Sequence, residues 1–98
     1  MFEIEAGDDG TIRLRGRFDA AQVETARRVL DQITESRVVD FRELSYISSG
    51  GLGLLFSVQR RLVDRGHGLR LVNLSPHLRE IFVIAEFDRI FEIGEGAG

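Results

Sequence analysis

The sequence predicts an α/β fold: one domain with a mixed central sheet of about five strands and helices packed against it, in the order β-β-α-β-α-β-α-β. Three observations carry that prediction. Short β-branched and apolar runs alternate with segments whose apolar residues recur at helical spacing, which implies parallel strands joined by crossover helices. The first two runs flank a tight turn, Gly7-Asp8-Asp9-Gly10, and so form an antiparallel entry hairpin. The chain has 98 residues, enough for one domain and too few for two of ordinary size. The domain is expected to span residues 1–98, with Gly94 to Gly98 as a frayed tail.

Each element has its own local reason. Phe2 to Glu5 alternates apolar and acidic side chains and forms the first strand. Thr11 to Arg15 forms the second, with Ile12 and Leu14 on one face and Arg13 and Arg15 on the other. Gly16 breaks the pattern. Asp19 stands where a helix N-cap belongs, and Gln22, three residues on, completes a capping-box spacing. Val23, Ala26, Leu30 and Ile33 then predict a helix from about Ala20 to Glu35. Arg37-Val38-Val39-Asp40-Phe41 reads as a central strand, followed by a loop over Arg42 to Tyr46. A second helix runs from Leu52 to about Arg65, with a broad apolar face that fits packing on a sheet. Gly66-His67-Gly68 ends it, and Leu69 to Val72 is the next strand. Ser75-Pro76 opens a third helix, serine as N-cap and proline at the first helical position, continuing to Ala85. Ile90 to Ile93 supplies the last short strand.

Composition excludes several classes of function. Hydrophobic residues make up 43% and charged residues 30%, a balance that fits a soluble globular chain and not a disordered one. The net charge is −3, so there is no basic footprint for direct nucleic-acid binding. There is no cysteine, which rules out disulfides, thiol nucleophiles and zinc-thiolate sites and accords with a cytoplasmic location. The N-terminus lacks the basic start and apolar run of a signal peptide, and no stretch has the ~18 apolar residues of a membrane span, so no membrane insertion is expected.

The most informative segment is Ser48-Ser49-Gly50-Gly51-Leu52-Gly53, which leads from a buried strand into a helix. A helix N-terminus offers free amides and a positive dipole end, and glycine lets another chain approach closely. A serine there either caps the helix or accepts a modification. A phosphate adds a charge of roughly −1.5 to −2, which the helix end tolerates and an acidic or apolar partner surface does not. A simple turn and N-cap is the plain structural alternative. A Walker loop is absent, since no Gly-Lys-Ser/Thr follows, and Gly51-Leu52-Gly53 matches only half of a dinucleotide fingerprint.

Other motifs join this one. Gly16-Arg17-Phe18-Asp19 precedes the first helix. Val38-Val39-Asp40-Phe41 is an apolar strand ending in an acid. Tyr46-Ile47-Ser48-Ser49-Gly50-Gly51-Leu52-Gly53 is followed by the strand Leu69 to Val72, the proline-opened helix Pro76 to Ala85, and Phe91-Glu92-Ile93. In this order and spacing the chain resembles, over nearly its full length, the STAS domain of anti-sigma factor antagonists. The resemblance implies a binding module and not an enzyme, with no cofactor and no metal. Its implied partner is an anti-sigma factor that is also a serine protein kinase; phosphorylation of the signature serine breaks the complex, and a serine phosphatase resets it. Alignment on Leu52-Gly53 places the acceptor at Ser49, with Ser48 as its rival. The implied partner-binding set is Asp19, Asp40, Tyr46, Ser48, Ser49, Gly50, Gly51, Leu52 and Gly53. Two positions depart from the family pattern: Ser48 replaces an acid, and Gly50 replaces a second serine. STAS domains also serve in lipid-transport and anion-transporter systems, so a non-phosphorylated scaffold subunit is the alternative.

The remaining candidates have structural readings beside them. Asp19 also fits simple helix capping. Asp40, taken to end its strand beside the signature loop, fits a loop hydrogen bond. Ile47 fits core anchoring, while Leu54 and Val58, if exposed, would widen a docking surface. His67 lies between turn glycines and His77 in a helix's first turn, with no further ligands to make a metal site. Ser49, His77 and Asp40 can be drawn as a triad, but no Gly-x-Ser-x-Gly elbow supports catalysis.

Overall fold

The computed structural model describes residues 1–94. Strands β1 (Phe2–Ala6) and β2 (Thr11–Phe18) form the antiparallel hairpin; β3 (Arg37–Ile47), β4 (Leu69–Val72) and β5 (Glu92–Ile93) follow in parallel, giving one five-stranded mixed sheet in the order β1-β2-β3-β4-β5. The helices are α1 (Val23–Leu30), entered through a 3-10 turn at Ala20–Gln22, α2 (Ser49–Val63) and α3 (Pro76–Ile84). Each crossover adds the next strand in the same direction. Right-handed crossovers therefore put all three helices on one face of the sheet.

That face holds the core. Ile12, Leu14, Phe18, Val39, Phe41, Ile47 and Leu71 from the strands are buried in one cluster with Ala26, Leu30, Leu55, Leu62, Leu78 and Phe82 from the helices. An edge-to-face contact joins Phe41 of β3 to Phe82 of α3, with ring centroids 5.6 Å apart. The opposite face is charged: Arg15 pairs with Glu43 and Glu5, and Arg70 with Glu92. The alternation read in the second strand is this division between buried and bare faces.

The element order matches the sequence-based expectation, and several boundaries move. β2 does not stop at Gly16. It passes through it at φ +87°, and Arg17 N–H still reaches the Met1 carbonyl at 2.9 Å. The expected loop over Arg42–Tyr46 is strand: β3 runs to Ile47 and carries two extra residues, one between the Arg13–Asp40 and Arg15–Glu43 pairs and one between Gly16–Leu44 and Arg17–Tyr46. These bulges break the period-two alternation that would have revealed the strand. The first helix is shorter than expected, ending at Leu30. Asp19 Oδ1 accepts from Ala21 N–H at 3.1 Å, but Gln22 makes no capping hydrogen bond. The last strand is only Glu92–Ile93, because a 3-10 turn at Phe87–Arg89 occupies the chain before it. Of the expected tail, Gly94 is held by its N–H to the Leu71 carbonyl at 2.8 Å, while residues 95–98 lie outside the described residues.

Candidate functional site

β2 and β3 end side by side, Phe18 beside Ile47, with Ser48 N–H donating to the Phe18 carbonyl at 2.9 Å. From this shared edge the chain turns into a helix twice. Asp19 leaves β2 and caps the 3-10 turn before α1. Ser48 leaves β3 and caps α2.

The two signature serines have opposite environments. Ser48 is buried, and its Oγ accepts the Gly51 N–H at 3.1 Å, an N-cap hydrogen bond. Ser49, one residue on, is the first residue of α2 and is exposed. Helix geometry turns successive side chains by about a quarter of a revolution, so one residue separates the capping position from a solvent-facing one. The helix thus starts three residues earlier than the expected Leu52.

The glycines differ as well. A Cβ on Gly51 would lie 2.9 Å from Ile47 Cγ1 and 3.3 Å from the Phe18 ring, so this position has no room for a side chain. A Cβ on Gly50 would meet Val23 Cγ2 at 3.3 Å, which seats the start of α2 against the start of α1. Gly53 is exposed, and a Cβ there would meet nothing within 4 Å. Its place in a helix has no steric reason among the described residues.

The structure therefore brings Asp19, Ser48, Ser49, Gly50, Gly51, Leu52 and Gly53 together at one end of the sheet, with Leu52 half-buried against the core. Tyr46 lies two residues before the cap, half-buried, its ring 4.3 Å beneath the Arg17 guanidinium. Ile47 is a core residue, as expected. Two expectations are corrected. Asp40 neither ends its strand nor borders the signature loop; it sits within β3, its Oδ1 accepting from Arg42 N–H and Asn73 Nδ2, each at 2.9 Å. Leu54 and Val58 are 3% and 1% exposed, so they pack into the core and cannot widen a docking surface. Asp40 is held by Asn73 and His77 is exposed on α3, so the drawn triad is not assembled.

Sequence reasoning missed Arg17, whose stacking on Tyr46 depends on the parallel register of β2 and β3. It also missed Ala20, which Gly50 approaches. Among the described residues no group of three or more His, Asp or Glu side chains could hold a metal ion, and no helix is long and apolar enough to cross a membrane.

Comparison with known proteins supplies the family. The family model described as "Mlab, STAS domain" matches residues 1–93. A STAS-domain containing protein of Pseudomonas aeruginosa is 33% identical over 90 residues, covering 89% of each chain. BtrV of Bordetella bronchiseptica, a protein that carries an anti-sigma factor antagonist name, is 38% identical over 74 residues, covering 76% of this chain and 58% of that one. The fold is that of the Bacillus anti-sigma factor antagonist SpoIIAA. Its unphosphorylated form superposes with a TM-score of 0.72 at 24% identity, covering 99% of this chain and 90% of that one. Its phosphorylated form gives 0.69 over 97% and 92%. The chain belongs to the STAS-domain family, the family of the anti-sigma factor antagonists.

Proposed function

We propose that this protein is an anti-sigma factor antagonist that binds a serine-kinase-type anti-sigma factor through the start of α2 and is released when Ser49 is phosphorylated. One observation carries the reading: Ser49 is exposed at the first position of α2, while Ser48 is buried and engaged as the cap. A kinase can reach the Ser49 hydroxyl without disturbing the helix. To reach Ser48 it would have to break the cap and open the strand end. Partner contacts are assigned to Asp19, Ser49, Gly50 and Gly53, with Tyr46 at the margin; Ser48, Gly51 and Leu52 shape the site from within, and Asp40 is left out. Partner and sigma factor both act in the cytoplasm, where this reading places the chain.

The test is phosphorylation in vitro. Each purified serine-kinase-type anti-sigma factor of the source organism is incubated with the protein and ATP, and the product is mapped by mass spectrometry. Phosphate on Ser49, abolished by Ser49→Ala and retained in Ser48→Ala, is the expected result. Ser48→Ala should instead lower stability by about 1 kcal/mol through loss of the N-cap. Phosphate on Ser48 alone, or on neither serine, would sink the switch.

A second reading has its own support. The matched family model carries the Mlab description, and Ser48 stands where the switch proteins carry an acid. In this reading the domain is a scaffold subunit of a transport complex, and the same helix start docks a transporter ATPase without being modified. Stable co-purification with such an ATPase, insensitive to Ser49→Asp, would favour it.

A further inference from the structure

α2 exposes a single stripe that continues beyond the serine. Ser49, Gly53, Ser57, Arg60 and Val63 recur at intervals of three or four and are all exposed, so they lie on one helix face. The whole helix, Ser49–Val63, contains two arginines and no acidic residue, on a chain whose net charge is −3. Helix starts commonly carry an acid that complements the dipole, and this first turn has none. Asp64, the C-cap, is the first acid after Ser49. The stripe is thus neutral to basic on an acidic protein.

Its far end is built. Arg60 has no carboxylate partner among the described residues; its guanidinium lies over the Phe56 ring, 5.9 Å from the centroid. Phe56 stacks in turn on Phe87 at 6.0 Å, and Phe87 packs on the core rings of Phe82 and Phe91. The cation therefore rests on an aromatic platform tied to the core. Beside it lies a groove of about 250 Å³ lined by Gln59, Arg60, Val63, Asp64 and Ile90, with Val63 54% exposed.

We infer that the anti-sigma partner is read along the full length of α2, by an acidic surface that sets a carboxylate against Arg60 and an apolar side chain into the groove between Val63 and Ile90. This rests on the proposed function, and it extends the footprint to the opposite end of the helix. From Ser49 to Val63 is roughly 21 Å at 1.5 Å per residue. A standard interface of about 800 Å² per partner spans that distance. An acidic partner also explains why a phosphate at Ser49 breaks the complex: the repulsion acts at one end of a contact whose charge complementarity lies at the other.

The experiment uses the same panel of purified serine-kinase-type anti-sigma factors and measures affinity by calorimetry at two salt concentrations. Arg60→Glu and Val63→Asp are compared with the wild type and with Ser49→Asp. Circular dichroism checks that each variant is folded, and Glu80→Lys on the exposed face of α3 serves as a control. The expected result is at least tenfold weaker binding for Arg60→Glu and for Val63→Asp, loss in Arg60→Glu of the weakening by salt that the wild type shows, and no change for Glu80→Lys. If Ser49→Asp disrupts binding while both far-end variants bind as the wild type does, the extended footprint is wrong and the proposed function stands. If no kinase of the panel binds the wild-type chain, both fall.

Discussion

The site turns on adjacent residues with opposite jobs. Ser48 and Ser49 are chemically identical and neighbours in sequence, and the sequence motif alone left both open as acceptors. What separates them is where the helix begins. Because α2 starts at Ser49, Ser48 becomes the buried cap and Ser49 the free hydroxyl. That start was hidden from sequence reasoning, since Gly50 and Gly51 are poor helix formers and placed the expected boundary at Leu52. The glycines carry a prediction at the same scale. Gly51→Ala forces a methyl group against Ile47 and the Phe18 ring and should cost about 1–3 kcal/mol. Gly53→Ala meets open space and should stabilise the fold by about 0.5–1 kcal/mol, as an exposed helical glycine does when replaced. Chemical denaturation of both variants measures this. On the proposed function Gly53→Ala should also lower affinity for the partner despite its greater stability. A variant that is stabilised and still binds fully would leave Gly53 with no role in docking.

Between elements, the ties are made by residues whose partners lie ten to thirty-one positions away, and such ties were not legible in sequence. Arg61 stands in the last turn of α2, where a cation suits the C-terminus of its own helix. In the structure it serves another: its Nη1 donates to the Ile33 carbonyl at 2.7 Å and its Nη2 to the Leu30 carbonyl at 3.0 Å, tying the end of α1 and the turn after it to α2. Arg61→Ala should cost about 1–2 kcal/mol, the scale of two partly exposed charge-assisted bonds, and Arg61→Lys should recover only part of it because a single ammonium cannot fork. Urea denaturation decides this, with Arg65→Ala as a neutral comparison. Gln59 works in the same way, accepting from Leu69 N–H at 2.7 Å and donating to the Ile90 carbonyl at 2.8 Å. The elements built from local signals, the β1–β2 turn and the Ser75-Pro76 helix start, were legible at once. In the turn, the Asp9 carboxylate is held below the usual carboxylate range, first by the Thr11 N–H and then by Arg13. A lowered carboxyl pKa contributes stability above the unfolded-state value, and that contribution is lost as pH falls through the folded-state value. Asp9→Asn should therefore flatten the acid limb of the stability profile, followed by thermal melts from neutral pH downward, and leave the alkaline limb unchanged.

Across the whole molecule, the proposed function assigns stability and signalling to different parts. One apolar layer lies between the sheet and three helices, running from Phe18 and Ile47 beneath the site to Phe82 and Phe91 at the other side. The bare sheet face is covered by exposed ion pairs such as Arg15–Glu43 and Arg70–Glu92, which contribute little in water. Ser49 stands outside this layer, exposed to solvent. On the proposed function, phosphorylation should then act on the partner and not on the fold. A phosphate at the start of α2 meets the positive end of the helix, an interaction worth about 0.3–1 kcal/mol. The phosphorylated protein should accordingly melt at the same temperature as the unmodified one or a few degrees higher. Its amide chemical-shift changes should be confined to the Asp19–Val23 and Ile47–Gly53 segments. Calorimetry and a two-dimensional NMR spectrum of the chain phosphorylated at Ser49 measure both. A lower melting temperature, or shifts spreading through β4 and α3, would mean that the phosphate works by loosening the domain, and the partner surface would then have to be sought in what that loosening exposes.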